Sequence, residues 1–245
     1  MTAPMHPRTE LRLGYALGAT PGKWAHSWRR QRADLPLRLI ALDEGGEFSA
    51  LTDGSADLII APADTVDDAL YGVVLYEEEL LALAGRDHAL AATDEVLIAE
   101  LAIDELVHSP VLPARVQDWG LASHSYVAET ALAATEFVAT GSGITVLTRS
   151  AARALNRRDV VTRTIRDAGT APVRALWLRE NDSPDLQDLV AVLRGRTAQS
   201  SRRADVSADA VDTSRVRRPE RTGRSGPTRT PRAGDGRSSS RRGRR

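Results

Sequence analysis

Short apolar strands alternate with helical segments along the first quarter of the chain, and this alternation constrains the fold more than any other feature. Over residues 11–18, large apolar or aromatic side chains alternate with small or charged ones, which predicts a strand. The run ADLIIAP, residues 56–62, has three consecutive large apolar residues at its centre, a pattern typical of a strand buried on both faces of a parallel sheet. Helices between strands imply right-handed βαβ crossovers. The sequence therefore predicts an α/β fold.

The stretch GYALGATPGKW, residues 14–24, superficially resembles a nucleotide-binding loop. A P-loop places four residues between its two glycines and a Ser or Thr after its Lys. Here three residues separate Gly18 from Gly22, and Trp24 follows the Lys. We interpret the stretch as a strand end followed by a helix, with Thr20 as N-cap and Pro21 at the first helical position. Such a helix N-terminus can bind a carboxylate or another small polar ligand.

The second half of the chain predicts a further series of helices and strands. Residues 94–109 predict a short acidic helix and then a strand, and residues 122–140 a helix followed by a strand that ends near Thr140. The glycine turn GSG, residues 141–143, then leads into a helix from about Ile144. A last helix has Ser183 as N-cap, and the folded region ends near Arg196.

Composition changes abruptly near residue 202. Residues 202–245 contain 14 Arg and five acidic residues, a net charge of +9, whereas residues 1–201 carry −9. Because the terminal segment is almost free of apolar residues, we predict a disordered tail over residues 197–245, and a disordered leader over residues 1–10. The tail is either simply solvated or binds nucleic acid non-specifically. The arginines predicted to make that contact are Arg217, Arg218, Arg241, Arg242, Arg244 and Arg245.

Several classes of protein are disfavoured by what the sequence lacks. There is no cysteine and no apolar run of about 18 residues, the length that spans a bilayer. The five histidines lie singly, and neither a zinc-protease nor a hydrolase motif occurs. The acidic run at residues 77–79 points to alternate faces of an extended segment, so its carboxylates do not converge. We predict a cytoplasmic protein without metal, cofactor or enzymatic activity.

Four segments, taken in order, resemble the effector-binding domain of LysR-type transcriptional regulators. They are LRLGYALGATPGKW, FSALTDGSADLIIAP, YGVVLYEEELLALAGRDHALA and FVATGSGITVLTRSAARAL. Their specific elements are the patterns L-x-D-G-x-x-D-L-x-I, L-Y-E-E-x-L followed by D-H-x-L-A, and V-x-x-G-x-G-I-x-x-L. Together they span most of residues 11–196.

This resemblance implies a type-2 periplasmic-binding-protein fold, in which two α/β subdomains enclose a cleft. Subdomain I would comprise residues 11–77 and 171–196, and subdomain II residues 78–170. The cleft would hold a small effector, an organic acid or an amino-acid-like metabolite, and the domains would pair as a homodimer. Transferred by position, the ligand-binding residues would be Ala19, Thr20, Pro62, Ser109, Thr140, Gly141, Ser142 and Gly143.

The chain departs from the family pattern at its N-terminus. The family begins with a winged helix-turn-helix, whereas ten residues precede Leu11 here. We therefore expect a sensor that controls transcription through a separate DNA-binding partner or through its basic tail. Two alternatives stay open, namely a solute-binding component of a transport system and a degenerate scaffold that only dimerises. A filled cleft would indicate the scaffold.

Overall fold

The computed structural model describes residues 9–195 of the 245-residue chain. Apart from Thr9 and Glu10, the predicted leader and tail lie outside these residues. The strands and α-helices, in chain order, are β1 (Leu11–Tyr15), α1 (Gly22–Gln31), β2 (Leu37–Ala41), α2 (Glu47–Thr52), β3 (Leu58–Pro62), β4 (Leu70–Gly85), β5 (Glu95–Val96), β6 (Glu105–His108), β7 (Ala122–Val127), α3 (Ala131–Ala139), β8 (Thr145–Thr148), α4 (Arg149–Ala154), β9 (Val160–Ile165), β10 (Thr170–Leu178) and α5 (Pro184–Leu193). Short 3₁₀ helices occupy Ala89–Ala92, Ile98–Ile103, Ala114–Trp119 and Arg179–Asn181.

The first group of strands pairs in the order β2-β1-β3-β10-β4. Strand β1 runs parallel to both β2 and β3, so that Leu13 pairs with Leu39 on one side and Leu58 on the other. Strand β10 runs antiparallel to β3 and β4. The parallel β1, β2 and β3, joined through α1 and α2, confirm the predicted α/β fold. We refer to β1, β2 and β3 with α1, α2 and α5 as lobe I.

A second group of strands surrounds the other half of β4. Strands β8 and β9 both pair antiparallel with β4, and β5 runs parallel to β9. Strands β6 and β7 form a separate parallel pair. We refer to β5 to β9 with α3 and α4 as lobe II.

Strand β4 connects the two lobes because it changes partners along its 16 residues. It pairs with β10 from Leu70 to Glu79 and with β8 and β9 from Leu80 onward. Strand β10 returns the chain from lobe II to lobe I, and its pairing with β4 shifts register between Val173 and Arg174. Two neighbouring strands therefore link the lobes.

Each lobe buries both faces of its sheet. In lobe I, Leu58 and Ile60 of β3 pack with Trp28 of α1, and Ile59 packs on the opposite face with Leu51 of α2. The indole Nε1 of Trp28 donates to the Leu35 carbonyl at 2.7 Å, so this fully buried ring leaves no polar atom unpaired. The burial of β3 on both faces matches its predicted apolar run.

Lobe II follows the same rule along β4. Leu80 and Ala82 face a core that includes Leu101, whereas Leu81 and Leu83 face helices α3 and α4. Alternate residues of one strand thus supply two cores.

The predicted order of elements around residues 122–148 is wrong. The strand, β7, comes first and helix α3 follows it, because Thr130 caps the helix-forming run ALAATEFVA by accepting a hydrogen bond from the amide of Ala133 at 3.0 Å. The segment TVLT, predicted to be helical, is strand β8, as suits its β-branched residues. Helix α1 also differs from its prediction, since it begins at Gly22 after Pro21 without a side-chain cap from Thr20.

Candidate functional site

The candidate site is a cavity of about 330 Å³ between the two lobes. It lies beyond the carboxyl ends of β1 and β3, the position where parallel sheets usually bind ligands. The residues that line it are Ala16, Leu17, Gly45, Glu47, Phe48, Ile59, Ala61, Pro62, Ala63, Asp64, Leu70, Pro110, Val111, Leu112, Pro113, Ala114, Thr148, Ala151, Ala171 and Leu176. The volume falls at the lower end of the range of small-molecule sites, about 300–1,000 Å³.

The walls of the cavity are mainly apolar. Lobe I contributes the ends of β1 and β3 and the first turn of α2, and lobe II contributes the proline-rich loop at residues 110–114 and the start of α4. Three polar side chains, those of Glu47, Asp64 and Thr148, interrupt this apolar surface. Apolar walls with a few placed polar groups are the usual composition of a ligand site.

Asp64 is held by Arg115 from the opposite lobe. Arg115 Nε donates to Asp64 Oδ1 at 2.9 Å, its second terminal nitrogen contacts the same oxygen, and its backbone amide lies 3.3 Å from Oδ2. Burial alone would raise the pKa of Asp64, but the hydrogen bonds from Arg115 outweigh it and hold the pKa below its ordinary value. Asp64 is therefore an ionised, already paired carboxylate.

Glu47 has no such partner. It is the first residue of α2, and burial raises the pKa of its carboxyl despite hydrogen bonds from the Glu47 and Gly45 amides. Nearby Glu44 raises it further. Glu47 forms no ion pair within residues 9–195. It is the carboxylate of the cavity that a ligand could engage.

Two hydroxyls at the lobe II side are buried without a hydrogen-bond partner in the described part of the chain. Thr148, only 2% exposed, ends β8 and lines the cavity, yet its Oγ1 caps nothing in α4. Ser109, 9% exposed, directly precedes the cavity loop, and its Oγ is likewise unpaired. Leaving a buried hydroxyl unpaired costs about 1–3 kcal/mol. A ligand that hydrogen-bonds to Thr148 would recover part of that cost.

Two further carboxylates, from outside lobe II, bind helix N-termini of lobe II. Glu44, in the loop after β2, accepts a hydrogen bond from the amide of Ala131 at the N-terminus of α3, at 2.5 Å. Glu78 of β4 accepts hydrogen bonds from the amide of Ser150 at 3.1 Å and from its hydroxyl at 2.8 Å. Both carboxylates lie at helix N-termini, where the helix dipole favours negative charge.

The structure distributes the predicted ligand-binding residues over several places. Pro62 lines the cavity, and Ser109 adjoins its wall. Ala19 packs against the core of lobe I, and Thr20 is exposed after β1. The remaining four, Thr140, Gly141, Ser142 and Gly143, lie between α3 and β8.

Of those four, Thr140 and Gly141 line a different cavity together with Gly85, Asp87, His88 and Ala89. They precede β8, whereas Thr148 is its last residue, so the glycine turn and the cleft lie at opposite ends of this strand. Their role in binding stays a prediction. The six tail arginines predicted to contact nucleic acid lie outside the described residues.

Sequence reasoning missed most of the cavity wall. Asp64 stands two residues after Pro62, so the rule that placed Pro62 at the end of a buried strand could also have found Asp64. The proline-rich segment SPVLPAR, residues 109–115, follows a predicted strand and could have been found by the same rule. Thr148 was hidden because β8 was predicted to be a helix.

The acidic run on β4 does not form a catalytic pair. Its carboxylates, those of Glu77, Glu78 and Glu79, bind three different partners, namely Thr170, Ser150 and Arg149. The histidines are also separate, since His88 contacts Asp104 at 2.9 Å and His108 contacts Ser123 at 3.0 Å. Among residues 9–195, no cluster of three or more His, Asp or Glu side chains could hold a metal ion.

A family model described as the LysR substrate binding domain matches residues 6–198. The chain belongs to this family. The predicted resemblance is thereby confirmed, and with it a sensor role in transcription regulation. No curated protein matches the sequence. In the described part of this LysR-type domain, no helix is long and apolar enough to cross a membrane.

Solved structures of LysR-type proteins share the fold. The effector-binding domain of a BenM variant is 19% identical with a TM-score of 0.62, and the match covers 79% of this chain and 97% of that one. The BenM effector-binding domain with its effector benzoate is 18% identical with a TM-score of 0.60, covering 86% and 98%. HinK, a LysR family transcriptional regulator from Pseudomonas aeruginosa, is 16% identical with a TM-score of 0.59, covering 76% and 70%. These neighbours confirm the predicted periplasmic-binding-protein-like fold with two α/β lobes.

Proposed function

We propose that the cavity between the lobes binds a small-molecule effector and that this binding is the sensing step of transcriptional control. The observation that carries the proposal is the open, mainly apolar cavity of about 330 Å³ with an unpaired buried hydroxyl, that of Thr148, in its wall. A site that needs a ligand to satisfy its polar groups is well suited to sensing.

The openness of the cavity favours a sensor over a degenerate scaffold. In a scaffold without a ligand, bulky side chains would fill the space between the lobes. Here the wall includes six alanines, whose small side chains leave room for a ligand, namely Ala16, Ala61, Ala63, Ala114, Ala151 and Ala171.

Effector binding would act on the relative position of the lobes. Strands β4 and β10 connect them, and the pairs Asp64–Arg115 and Glu44–Ala131 form direct contacts between them. A ligand that contacts both lobes stabilises the arrangement to which it binds best. We propose that this preference is the signal passed to the transcription machinery.

The wider assembly follows from the same proposal. The chain would act in the cytoplasm as a homodimer, without catalysis, and reach DNA through a separate DNA-binding partner or its basic tail. Two exposed apolar side chains of lobe II, Val127 and Leu132, support a contact with a second copy.

Thermal unfolding of the full chain tests the sensor proposal. The midpoint is measured with organic acids, amino acids, amines and neutral aromatic compounds, because a ligand of the folded state raises it. Ala114→Trp places a large ring at the exposed edge of the cavity, and Ala102→Trp places the same ring on an exposed 3₁₀ helix away from the cavity wall.

We expect one chemical class to raise the midpoint of the wild type and of Ala102→Trp in a concentration-dependent way. Ala114→Trp should respond less. No rise with any class, in a sample that unfolds cooperatively, would contradict the proposal.

A further inference from the structure

We infer that the cavity selects a ligand with an apolar, ring-containing body and a protonated amine, and that it rejects organic acids. This inference rests on the proposed sensor function and names the ligand class of the same cavity. It departs from the organic acid expected from the family resemblance.

The ionisable side chains in the cavity wall are acidic. Among residues 9–195, no Lys, Arg or His lines the cavity, whereas two carboxylates do, those of Glu47 and Asp64. Asp64 is neutralised by Arg115, but Glu47 forms no ion pair in the described part of the chain. When Glu47 is ionised, the cavity therefore holds a negative charge that no described cation neutralises. A ligand cation would pair with it.

Two arginines close to Asp64 and Ala63 of the wall already make hydrogen bonds. Arg115 uses Nε and one terminal nitrogen on Asp64, and its other terminal nitrogen donates to the Thr170 carbonyl at 2.6 Å. Arg174 donates through Nε to the Ala63 carbonyl at 2.8 Å. Arg174 does not line the cavity, so a ligand carboxylate inside it would have to displace a bond of Arg115, reach past the wall to Arg174 or remain unpaired beside Glu47. Burying an unpaired charge next to a like charge is strongly unfavourable.

The apolar part of the cavity wall favours a ligand with an apolar body. Large apolar side chains from both lobes face the cavity, among them Leu17, Phe48, Ile59, Val111 and Leu112. Phe48 is about half exposed, so covering its ring adds apolar burial on binding. A flat ring fits these surfaces better than a fully polar metabolite does.

Thr148 adds a polar contact from the opposite lobe. Glu47 lies in lobe I and Thr148 in lobe II, and the Thr148 hydroxyl has no partner in the described residues. A ligand with an amine at one end and a hydroxyl or carbonyl group elsewhere would satisfy both. Such a ligand would touch both lobes at once.

Three matched probes test this charge preference on the full chain. Tyramine, tyrosol and 4-hydroxyphenylacetate share a phenol ring and differ in their second group, which is an amine, an alcohol and an acid, respectively. The thermal midpoint is measured against the concentration of each. The variants are Glu47→Gln, Thr148→Val and the control Glu180→Gln, which changes an exposed carboxylate at the end of lobe I away from the cavity.

We expect tyramine to raise the midpoint of the wild type and of Glu180→Gln at concentrations where the acid has no effect. Glu47→Gln should weaken tyramine binding by about tenfold or more, as expected for the loss of a charge-assisted hydrogen bond. It should also remove the preference for tyramine over tyrosol. Thr148→Val should weaken tyramine and tyrosol alike. If Glu47→Gln does not fold, the comparison of the three probes on the wild type still tests the preference for an amine over an acid.

An acid that raises the midpoint as much as the amine would overturn the inference and leave the sensor proposal intact. So would an amine preference that survives Glu47→Gln. If all three probes fail while another class from the wider panel succeeds, the ligand class is wrong but the cavity still binds. If no compound of any class binds, both proposals are wrong.

Discussion

Arg115 of lobe II binds Asp64 of lobe I beside the cavity, with Nε 2.9 Å from Oδ1. The same guanidinium donates to the Thr170 carbonyl on β10, so one side chain binds lobe I and a connecting strand together. The two side chains are only 29% and 19% exposed, which limits screening by water and salt. This pair therefore stabilises the contact between the lobes more than a surface ion pair would.

Removing Arg115 should destabilise the domain measurably. Arg115→Ala leaves Asp64 partly buried without its counter-charge, and we expect the free energy of unfolding to fall by about 1–3 kcal/mol. Urea unfolding followed by tryptophan fluorescence measures the change. Arg166→Ala is the matched control, because Arg166 and Glu95 are 3.7 Å apart and 64% and 52% exposed, and such a pair contributes about 0–1 kcal/mol. Equal losses in both variants would contradict the role assigned to Arg115.

The two cavity carboxyls should respond to pH in opposite directions. The pKa of Asp64 is lowered in the folded state, so its contribution to stability is present above its ordinary pKa of 3.8 and is lost as pH falls through the lower folded value. The pKa of Glu47 is raised by burial, so ionising it destabilises the fold as pH rises above its ordinary pKa of 4.5.

It follows that Asp64→Asn should lower the free energy of unfolding at pH 7, whereas Glu47→Gln should raise it. Both differences from the wild type should shrink toward zero as pH falls below about 4, where both carboxyls become protonated in the unfolded chain. Urea titrations at a series of pH values measure both trends. Differences of the same sign at pH 7 would contradict the assigned shifts.

The fold could be predicted from local patterns, because apolar periodicity reports which faces of an element are buried. The β3 run LIIA is buried throughout, and Ser183 caps α5 by accepting from the amide of Leu186, both as predicted. The local sequence pattern is insufficient where pairing with a distant strand decides between a helix and a strand. The segment TVLT at the end of a glycine turn allows a helix or a strand, and its pairing with β4 makes it a strand.

The site was less predictable than the fold for the same reason. A cavity wall combines residues that only the three-dimensional arrangement brings together, such as Glu47 of α2 and Thr148 of β8. Neither belongs to a motif, and the missing partner of the Thr148 hydroxyl cannot be read from sequence. The glycine turn, which does stand out in the sequence, lies at the other end of β8.

Gly18 should be far less tolerant of substitution than a glycine of similar backbone conformation elsewhere. Its φ is +86°, and a Cβ atom there would lie 2.5 Å from the carbonyl carbon of Ser150 in lobe II. Gly54 has a φ of +75°, but a Cβ atom there would meet nothing within 4 Å. Gly54→Ala should therefore cost only the backbone strain, about 1 kcal/mol, whereas Gly18→Ala should cost about 1–3 kcal/mol more because the lobes must shift. Urea unfolding compares them, and equal costs would show that the approach to Ser150 relaxes freely.

Nucleic-acid binding, if it resides in the terminal segment, should be separable from effector binding. Residues 202–245 carry a net charge of +9, opposite to the −9 of the rest of the chain. Binding by arginine to phosphates releases counterions, so the logarithm of the affinity should fall steeply with the logarithm of salt concentration. Deleting these residues should abolish that salt-dependent DNA affinity, as measured by fluorescence anisotropy, and leave the ligand-induced rise of the thermal midpoint unchanged. A chain of full length with Gln at positions 217, 218, 241, 242, 244 and 245 is the matched control for charge, and it should show a shallower salt dependence. DNA affinity that survives the deletion would place the contact in the LysR-type domain itself.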